Sequence, residues 1–510
     1  MQYGLSSVYA ENIILEESPM AESTLKEKLE KFGIKTAINY LRKDPEKNLP
    51  KLMDMIDKAD KDGTFAAARY SFHQAIDDPN SPWNHLIYRV VKGVDPHVLE
   101  TFFTNFFMNS TFIGGKKQME YRKKYGCNVP WAILLDPTSA CNLHCTGCWA
   151  ADYGNQLNLT FDEIDDIINQ GVEMGTYMYI YTGGEPLVRK DDLIKLCEKH
   201  SDCIFLCFTN STLIDDKFAE DLRRVGNFVP AISVEGFEEA TDSRRGQGTF
   251  QKICKAIDVL NAHKIPYGIS CCYTSQNIDS IGSEEFFDWM VDKGAIFTWF
   301  FTYMPIGKDA PTDLMATAEQ RELMYHRIRD FRSSKPLFTM DFWNDAEYVY
   351  GCIAGGRSYL HINANGDIEP CVFIHYSDSN IREKKLLDAY RSPLFMQYHL
   401  NQPFNKNMLR PCPVLDNPYK LEEMVSKTDA HGTDLVGQET PHELCAKCEA
   451  TALRWAPVAE RLWKGSGING RHCVSCDDTV LPENLIPEEE RASFDEVVEF
   501  EQSQKEQQTK

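Results

Sequence analysis

The sequence predicts an α/β protein: a partial, TIM-like (β/α)6 barrel between an N-terminal helical region and a C-terminal cysteine-rich region. Three observations predict it. From Trp131 onward, short β-branched and aromatic runs alternate with amphipathic segments, the pattern of parallel βαβ units. Before that, apolar residues recur at helical spacing from residue 22 to about 125. Beyond about Asp345 the alternation ends and cysteines punctuate the chain. The expected domains are 1–128 (mostly helical), 129–345 (barrel), 346–476 (cysteine-rich) and 477–510 (an acidic tail).

The N-terminal region opens with a helix expected over Glu22–Leu41, closed by Asp44-Pro45. After Asp95-Pro96, a second helical stretch sets Val98, Leu99, Phe102, Phe103, Phe106 and Phe107 on one stripe, followed by Lys116, Lys117, Arg122, Lys123 and Lys124. A Phe-rich stripe with a basic flank suits peripheral membrane contact; the plainer reading docks it on the next domain. Six strands follow, over Ala132–Leu135, Tyr177–Tyr181, Ile204–Phe208, Val229–Val234, Tyr267–Tyr273 and Ile296–Tyr303. Helices are expected over Phe161–Met174, Asp191–His200, Asp215–Val225, Phe250–His263 and Glu284–Lys293, the first started by a Thr160–Glu163 capping box. In such folds the chemistry sits on loops after the strands.

The chain has 510 residues, with 54 Lys and Arg against 76 Asp and Glu, a net charge of −22. Residues Asp477–Lys510 hold eleven acidic and three basic residues, and their polar composition reads as disordered. So acidic a chain argues against nucleic acid as a partner, because phosphate binding needs a basic surface. No apolar run reaches the roughly 18 residues that span a bilayer, and Met1–Met20 lacks a signal-peptide pattern. The expected location is cytoplasmic. Seventeen cysteines in a reducing compartment point to metal ligation rather than disulfides.

The loop after the first strand reads Pro137-Thr-Ser-Ala-Cys141-Asn-Leu-His-Cys145-Thr-Gly-Cys148-Trp149. Three thiolates at this spacing hold a metal but leave it one ligand short. Structural zinc wants four closed ligands, and His144, adjacent to Cys145, is poorly placed to complete the set. A cube of four irons and four sulfides fits better, with three irons on cysteine and the fourth open. Zinc remains the alternative.

Cys141, Cys145 and Cys148 resemble the signature of the radical S-adenosylmethionine (SAM) enzymes. The second strand then delivers Tyr181-Thr-Gly183-Gly184-Glu185-Pro186, similar to that family's Gly-Gly-Glu-Pro motif, which holds the SAM amino group. The resemblance runs from about Val129 to Gly307, with a further match to about Cys371. It implies a [4Fe-4S] cluster, reduced by a partner such as flavodoxin or ferredoxin, that splits SAM into methionine and a 5′-deoxyadenosyl radical able to take hydrogen from an unactivated C–H bond. It also implies cofactor contacts from Asn210, from Ser233 near the SAM carboxylate and ribose, from Arg245, whose fork suits a carboxylate, and from Met304 in the adenine-side segment Tyr303–Gly307. One departure stands out: the family usually has an aromatic or bulky residue just before the third cysteine, against the adenine, and this chain has Gly147 there and Trp149 just after.

Cys352-x13-Gly366-x4-Cys371 resembles the start of the auxiliary-cluster domains called SPASM or twitch, and Asn365-Gly366 reads as a hairpin turn. Downstream, a lone Cys412 and the pairs Cys445-x2-Cys448 and Cys473-x2-Cys476 depart from the SPASM spacing. Two partitions stay open. Cys352, Cys371 and Cys412 join one later cysteine around an auxiliary iron–sulfur cluster, or Cys445, Cys448, Cys473 and Cys476 form their own iron or zinc site. The remaining cysteines, Cys127, Cys197, Cys203, Cys207, Cys254, Cys271 and Cys272, read mostly as small buried hydrophobes. The expected substrate is a small molecule or lipid. A peptide or protein maturase is the alternative, and a non-catalytic iron–sulfur electron carrier is the rival from another class. No catalytic side chain stands out.

Overall fold

The computed structural model describes residues 33–59, 72–73 and 76–466. Residues 22–32 of the expected first helix, Cys473, Cys476 and the acidic tail lie outside the described residues.

The N-terminal region is helical where described. Helices Ile34–Lys43 and Pro45–Ala59 break at Asp44, as the Asp-Pro pair predicts. The Asp95 side chain caps Pro96–Phe102 by accepting the His97 and Val98 amides. The Phe-rich stretch continues as a π-helix, Phe103–Ile113, then as an α-helix, Gly114–Tyr125, ended by Gly126 in the left-handed region. Phe102 and Phe106 stack at 5.1 Å, and Phe106 meets Trp131 edge-on at 5.7 Å. Both phenylalanines pack against the inward-facing apolar cluster that includes Ile204 and Leu206. Asn105 donates to the carbonyls of Ser201 and Cys203, just ahead of the third strand.

This stripe docks on the N-terminal end of the barrel, although Phe103 and Phe112 keep 40% and 38% exposure. The basic cluster does not form one free face either. Arg122 donates to the carbonyls of Val129 and Arg357, and burial lowers its pKa to about 10. Lys117 lies over the Tyr177 ring.

The barrel strands are β1 Ala132–Leu135, β2 Met178–Tyr181, β3 Ile204–Thr209, β4 Phe228–Ser233, β5 Gly268–Tyr273 and β6 Phe297–Thr302. All six neighbour in order and run parallel. The capping box at Thr160 forms: its hydroxyl accepts the Glu163 amide while Glu163 accepts the Thr160 amide. The sheet is larger than six strands. A seventh parallel strand, β7 Phe338–Asp341, extends the β6 edge after helix Ala318–Ser334. On the far edge β8 Tyr359–Ile362 pairs parallel with β1, then turns through the expected hairpin, Gly366 at φ +84°, into antiparallel β9 Ile368–Glu369. The order β7-β6-β5-β4-β3-β2-β1-β8-β9 leaves β7 and β9 unpaired with each other, so the barrel is partial.

Period-2 alternation divides the side chains. Ile133, Leu135, Tyr179, Tyr181, Phe205 and Ile232 face the helical shell. Leu134, Ile180, Leu206 and Ala231 face inward and share one apolar cluster with Cys371, Cys445 and Cys448 of the C-terminal region. The cysteine-rich region is therefore packed against the barrel interior. No described helix is long and apolar enough to cross a membrane.

Candidate active site

The loops after β1 and β2 are zipped together by backbone. Gly184 N–H donates to Thr138 O at 3.1 Å and Glu185 N–H to Ala140 O at 2.8 Å. The two glycines make this approach possible. Gly183 sits at φ +102°, and a Cβ at Gly184 would lie 2.3 Å from the Ala140 carbonyl oxygen. The cysteine loop is thus held against the second strand's loop with no room for a side chain between them.

Glu185 is fully buried and engaged within the protein. Its Oε1 accepts from Leu187 N–H at 3.0 Å and Thr209 Oγ1 at 2.6 Å, and its Oε2 accepts from Asn210 N–H at 2.7 Å. Burial pushes its pKa up while these three donors oppose the rise. Of the roughly four acceptor positions on a carboxylate, three are filled. Pro186 starts the short helix that Glu185 caps. Asn210 reaches across to the cysteine loop, donating to Asn142 Oδ1 at 2.8 Å.

Ser233 ends β4 half-buried on the inward face. Arg245, expected to contact the cofactor, is engaged within the protein. Its Nε and Nη2 both donate to Glu235 Oε1, at 2.9 and 2.5 Å, so the fork already holds a protein carboxylate. Arg244 shares it, with Nη1 2.7 Å away. Burial opposes ionisation of Glu235, and the two guanidiniums outweigh it and hold its pKa low. Two cations on one anion leave a net positive charge beside Cys145, Cys148 and Cys272. Arg244 also fastens the loop: its Nε donates to Thr146 O at 3.2 Å, and Thr146 N–H donates to Arg244 O at 3.0 Å.

The thiols differ in setting. Cys141 is exposed, Cys145 and Cys148 half-buried. A metal would bind all three as thiolates. Several cysteine sulfurs accept the backbone N–H two residues on: Cys141 from Leu143, Cys148 from Ala150, Cys352 from Ala354, Cys371 from Phe373. Cys412 accepts from Leu415. Charge-directed N–H bonds to sulfur suit thiolate ligands. Cys203 and Cys207 instead donate, to Asp202 and to Phe208 O, as protonated structural cysteines do. Among the described residues, no three His, Cys, Asp or Glu side chains converge on a single-ion site; a four-iron cube holds its thiolates farther apart than one ion does, and the donor chemistry fits it.

Cys352, Cys371 and Cys412 line one cavity together with Met304, Phe373 and Tyr398. Met304 is the residue expected on the adenine side. Tyr398 feels Cys371, Cys352, Cys412 and Cys445 together, and Tyr359 Oη lies 2.7 Å from Cys371 Sγ. Cys445 and Cys448 are buried on one face of helix Pro441–Gly465.

Residues 135–283 match the family model described as the radical SAM superfamily. This chain carries a radical SAM domain. Enzymes of that superfamily use a [4Fe-4S] cluster and SAM. An AdoMet-dependent heme synthase of Methanosarcina barkeri is 24% identical over 294 residues, 52% of this chain and 83% of the relative. A mycofactocin maturase of Mycolicibacterium smegmatis is 30% identical over 263 residues, 49% of this chain and 66% of the relative. Among solved structures, Streptococcus suis SuiB bound to precursor peptide SuiA superposes with a TM-score of 0.46 at 19% identity, covering 60% of this chain and 80% of that one.

Several residues that the structure places near the cysteine loop carried no sequence signal. Glu235 and Arg244 flank quoted residues but had no assigned partner. Cys272, read as a buried hydrophobe, is half-exposed on the inward face beside Arg244. His361 is fully buried between Asp136 Oδ1, 2.9 Å from Nε2, and Glu369 Oε2, 2.6 Å from Nδ1. Burial alone would lower its pKa, and the two carboxylates overcome that and raise it to about 10. Trp149, directly after Cys148, meets the His361 and His375 rings edge-on at 5.6 and 6.1 Å. The Asp136-Pro137 and His-Ile-Asn segments offered no motif by which to find this network.

Proposed function

We propose that Cys141, Cys145 and Cys148 carry the [4Fe-4S] cluster that binds SAM, and that the enzyme takes hydrogen from a C–H bond of a small molecule or lipid with a flat or apolar reacting part. When bound, the cluster and SAM supply the reductive cleavage and the hydrogen-abstracting radical. The chain's own residues do the rest. Gly183 and Gly184 bring two loops together, Glu185 and Asn210 fix the ends of β2 and β3 around the cysteine loop, and Arg244 clamps Thr146. Ser233 and the remaining acceptor capacity of Glu185 offer polar contacts to SAM.

One observation carries the substrate class. Phe208, Trp299, Phe301, Phe342 and Phe373 are all half-buried and form a continuous inward wall, with centroids 5.8 Å apart for Phe208–Trp299, 5.4 Å for Phe301–Phe342 and 6.2 Å for Phe342–Phe373. Trp149, at 6.4 Å from Phe373, joins this wall to the cysteine loop. An aromatic wall suits a planar or hydrocarbon group. It supports a peptide poorly, because every backbone N–H and C=O removed from water needs a partner.

The auxiliary centre belongs to the same reading. Cys352, Cys371, Cys412 and Cys445 are proposed as ligands of one iron–sulfur cluster, on the strength of their shared surroundings and N–H bonds; it passes electrons to or from the substrate radical or ligates substrate. Iron analysis and EPR of anaerobically reconstituted protein test the partition. The Cys141→Ala, Cys145→Ala, Cys148→Ala variant should keep one cluster that ignores SAM. Cys371→Ala should keep one that responds to SAM. Two clusters retained in Cys371→Ala would refute the auxiliary assignment, and a carrier protein would show no response to SAM in any form.

A further inference from the structure

The Gly147 departure has a structural answer. Gly147 lies at φ +65°, and a Cβ there would meet the Tyr303 ring, 2.7 Å from Cε2 and 2.8 Å from Oη. The volume next to the third cysteine is filled from another strand: Tyr303 follows β6, its amide bonded to Tyr273 O. The ring is only 2% exposed. Its hydroxyl is buried and has no hydrogen-bond partner among the described residues. Burial raises its pKa, and Arg244, Cys272 and Cys148 are among the groups that act on it.

An orphaned buried hydroxyl is costly, and phenylalanine would fill the same space without it. Tyrosine hydroxyls usually find a partner when buried. The hydroxyl lies against the cysteine loop at Gly147, one residue before Cys148. We infer that Tyr303 is a positioning residue for the cluster proposed on Cys141, Cys145 and Cys148: its ring backs the loop at Gly147 and its hydroxyl donates to a cluster sulfur at the Cys148 edge. This rests on the ligand assignment above. A hydrogen bond to sulfur stabilises the more negative, reduced cluster and raises its potential. Tyr303 then acts in the same direction as the positive Arg244–Arg245–Glu235 group on its flank.

The test is an EPR-monitored redox titration of reconstituted wild type and Tyr303→Phe, following the signal that SAM perturbs, with iron content measured on both. Tyr303→Phe keeps the ring and loses only the donor. The expected result is full iron content with a shift of the SAM-sensitive cluster to more negative potential. An unchanged or more positive potential at full iron content would overturn the inference while leaving the ligand assignment standing. Loss of iron from Tyr303→Phe would mean that the hydroxyl is needed for loop structure, not for tuning, and would also overturn it. A wild type without any SAM-sensitive signal would overturn the assignment itself and this inference with it.

Discussion

Glu235 takes both Nε and Nη2 of Arg245 on one carboxylate oxygen, at 2.9 and 2.5 Å. The pair is buried, and Arg244 completes it. Glu235→Gln would leave two desolvated guanidiniums without their anion. Breaking a buried pair from one side costs about 3–5 kcal/mol. The variant should unfold at correspondingly lower denaturant and hold less iron at the Arg244-fastened cysteine loop. Unchanged denaturation would show that water compensates for the carboxylate.

Gly184→Ala should detach the loops it joins. Its new Cβ would press on the Ala140 carbonyl, a backbone atom that cannot swing away. Overpacking of this kind costs about 1–3 kcal/mol, and the strain falls on the loop that carries Cys141. The expected outcome is a folded protein with weaker SAM binding, read by equilibrium dialysis, and a diminished SAM effect on the EPR spectrum.

His361 gives a pH signature. Its folded pKa, raised to about 10 by Asp136 and Glu369 against burial, lies above the unfolded value of about 6.5. Its contribution to stability is therefore complete below about pH 6.5 and disappears as pH rises through about 10. The difference in unfolding free energy between wild type and His361→Gln should be largest at pH 6 and shrink steadily toward pH 10. A difference that grows with pH would mean that His361 is neutral in the folded protein.

Arg122 separates the two readings of the basic cluster. Its guanidinium satisfies the carbonyls of Val129 and Arg357, and hydrogen bonds from charged groups are worth about 1.5–3 kcal/mol each. Arg122→Met should lower the denaturation midpoint, whereas Lys123→Gln should leave it in place. Equal effects of the two on vesicle sedimentation, without a stability change, would restore the membrane reading for this segment.

The barrel was legible because each of its first six strands is a short apolar run, all but the last followed by an expected helix, and the strand ends fell within one residue of the sequence reading. β7 and β8 were not. Phe338–Asp341 is four residues beside Pro336, and Tyr359–Ile362 acquires its meaning only by pairing with β1, more than two hundred residues earlier. The cysteine and glycine motifs were legible because their chemistry fixes their spacing. Arg245's partner was not: nothing local indicates that Glu235 would fold back onto it. Gly147 looked like a defect until Tyr303, 156 residues later, supplied the missing volume. Long-range substitutions of that kind leave no local pattern.

The central claim is radical chemistry at Cys141, Cys145 and Cys148. The most direct measurement is 5′-deoxyadenosine formation from SAM by anaerobically reconstituted, reduced protein, alongside the Cys141→Ala, Cys145→Ala, Cys148→Ala variant. Product from the wild type and none from the variant is the predicted result. Equal product from both, or none from a wild type with its SAM-responsive cluster fully loaded and reduced, would contradict the account.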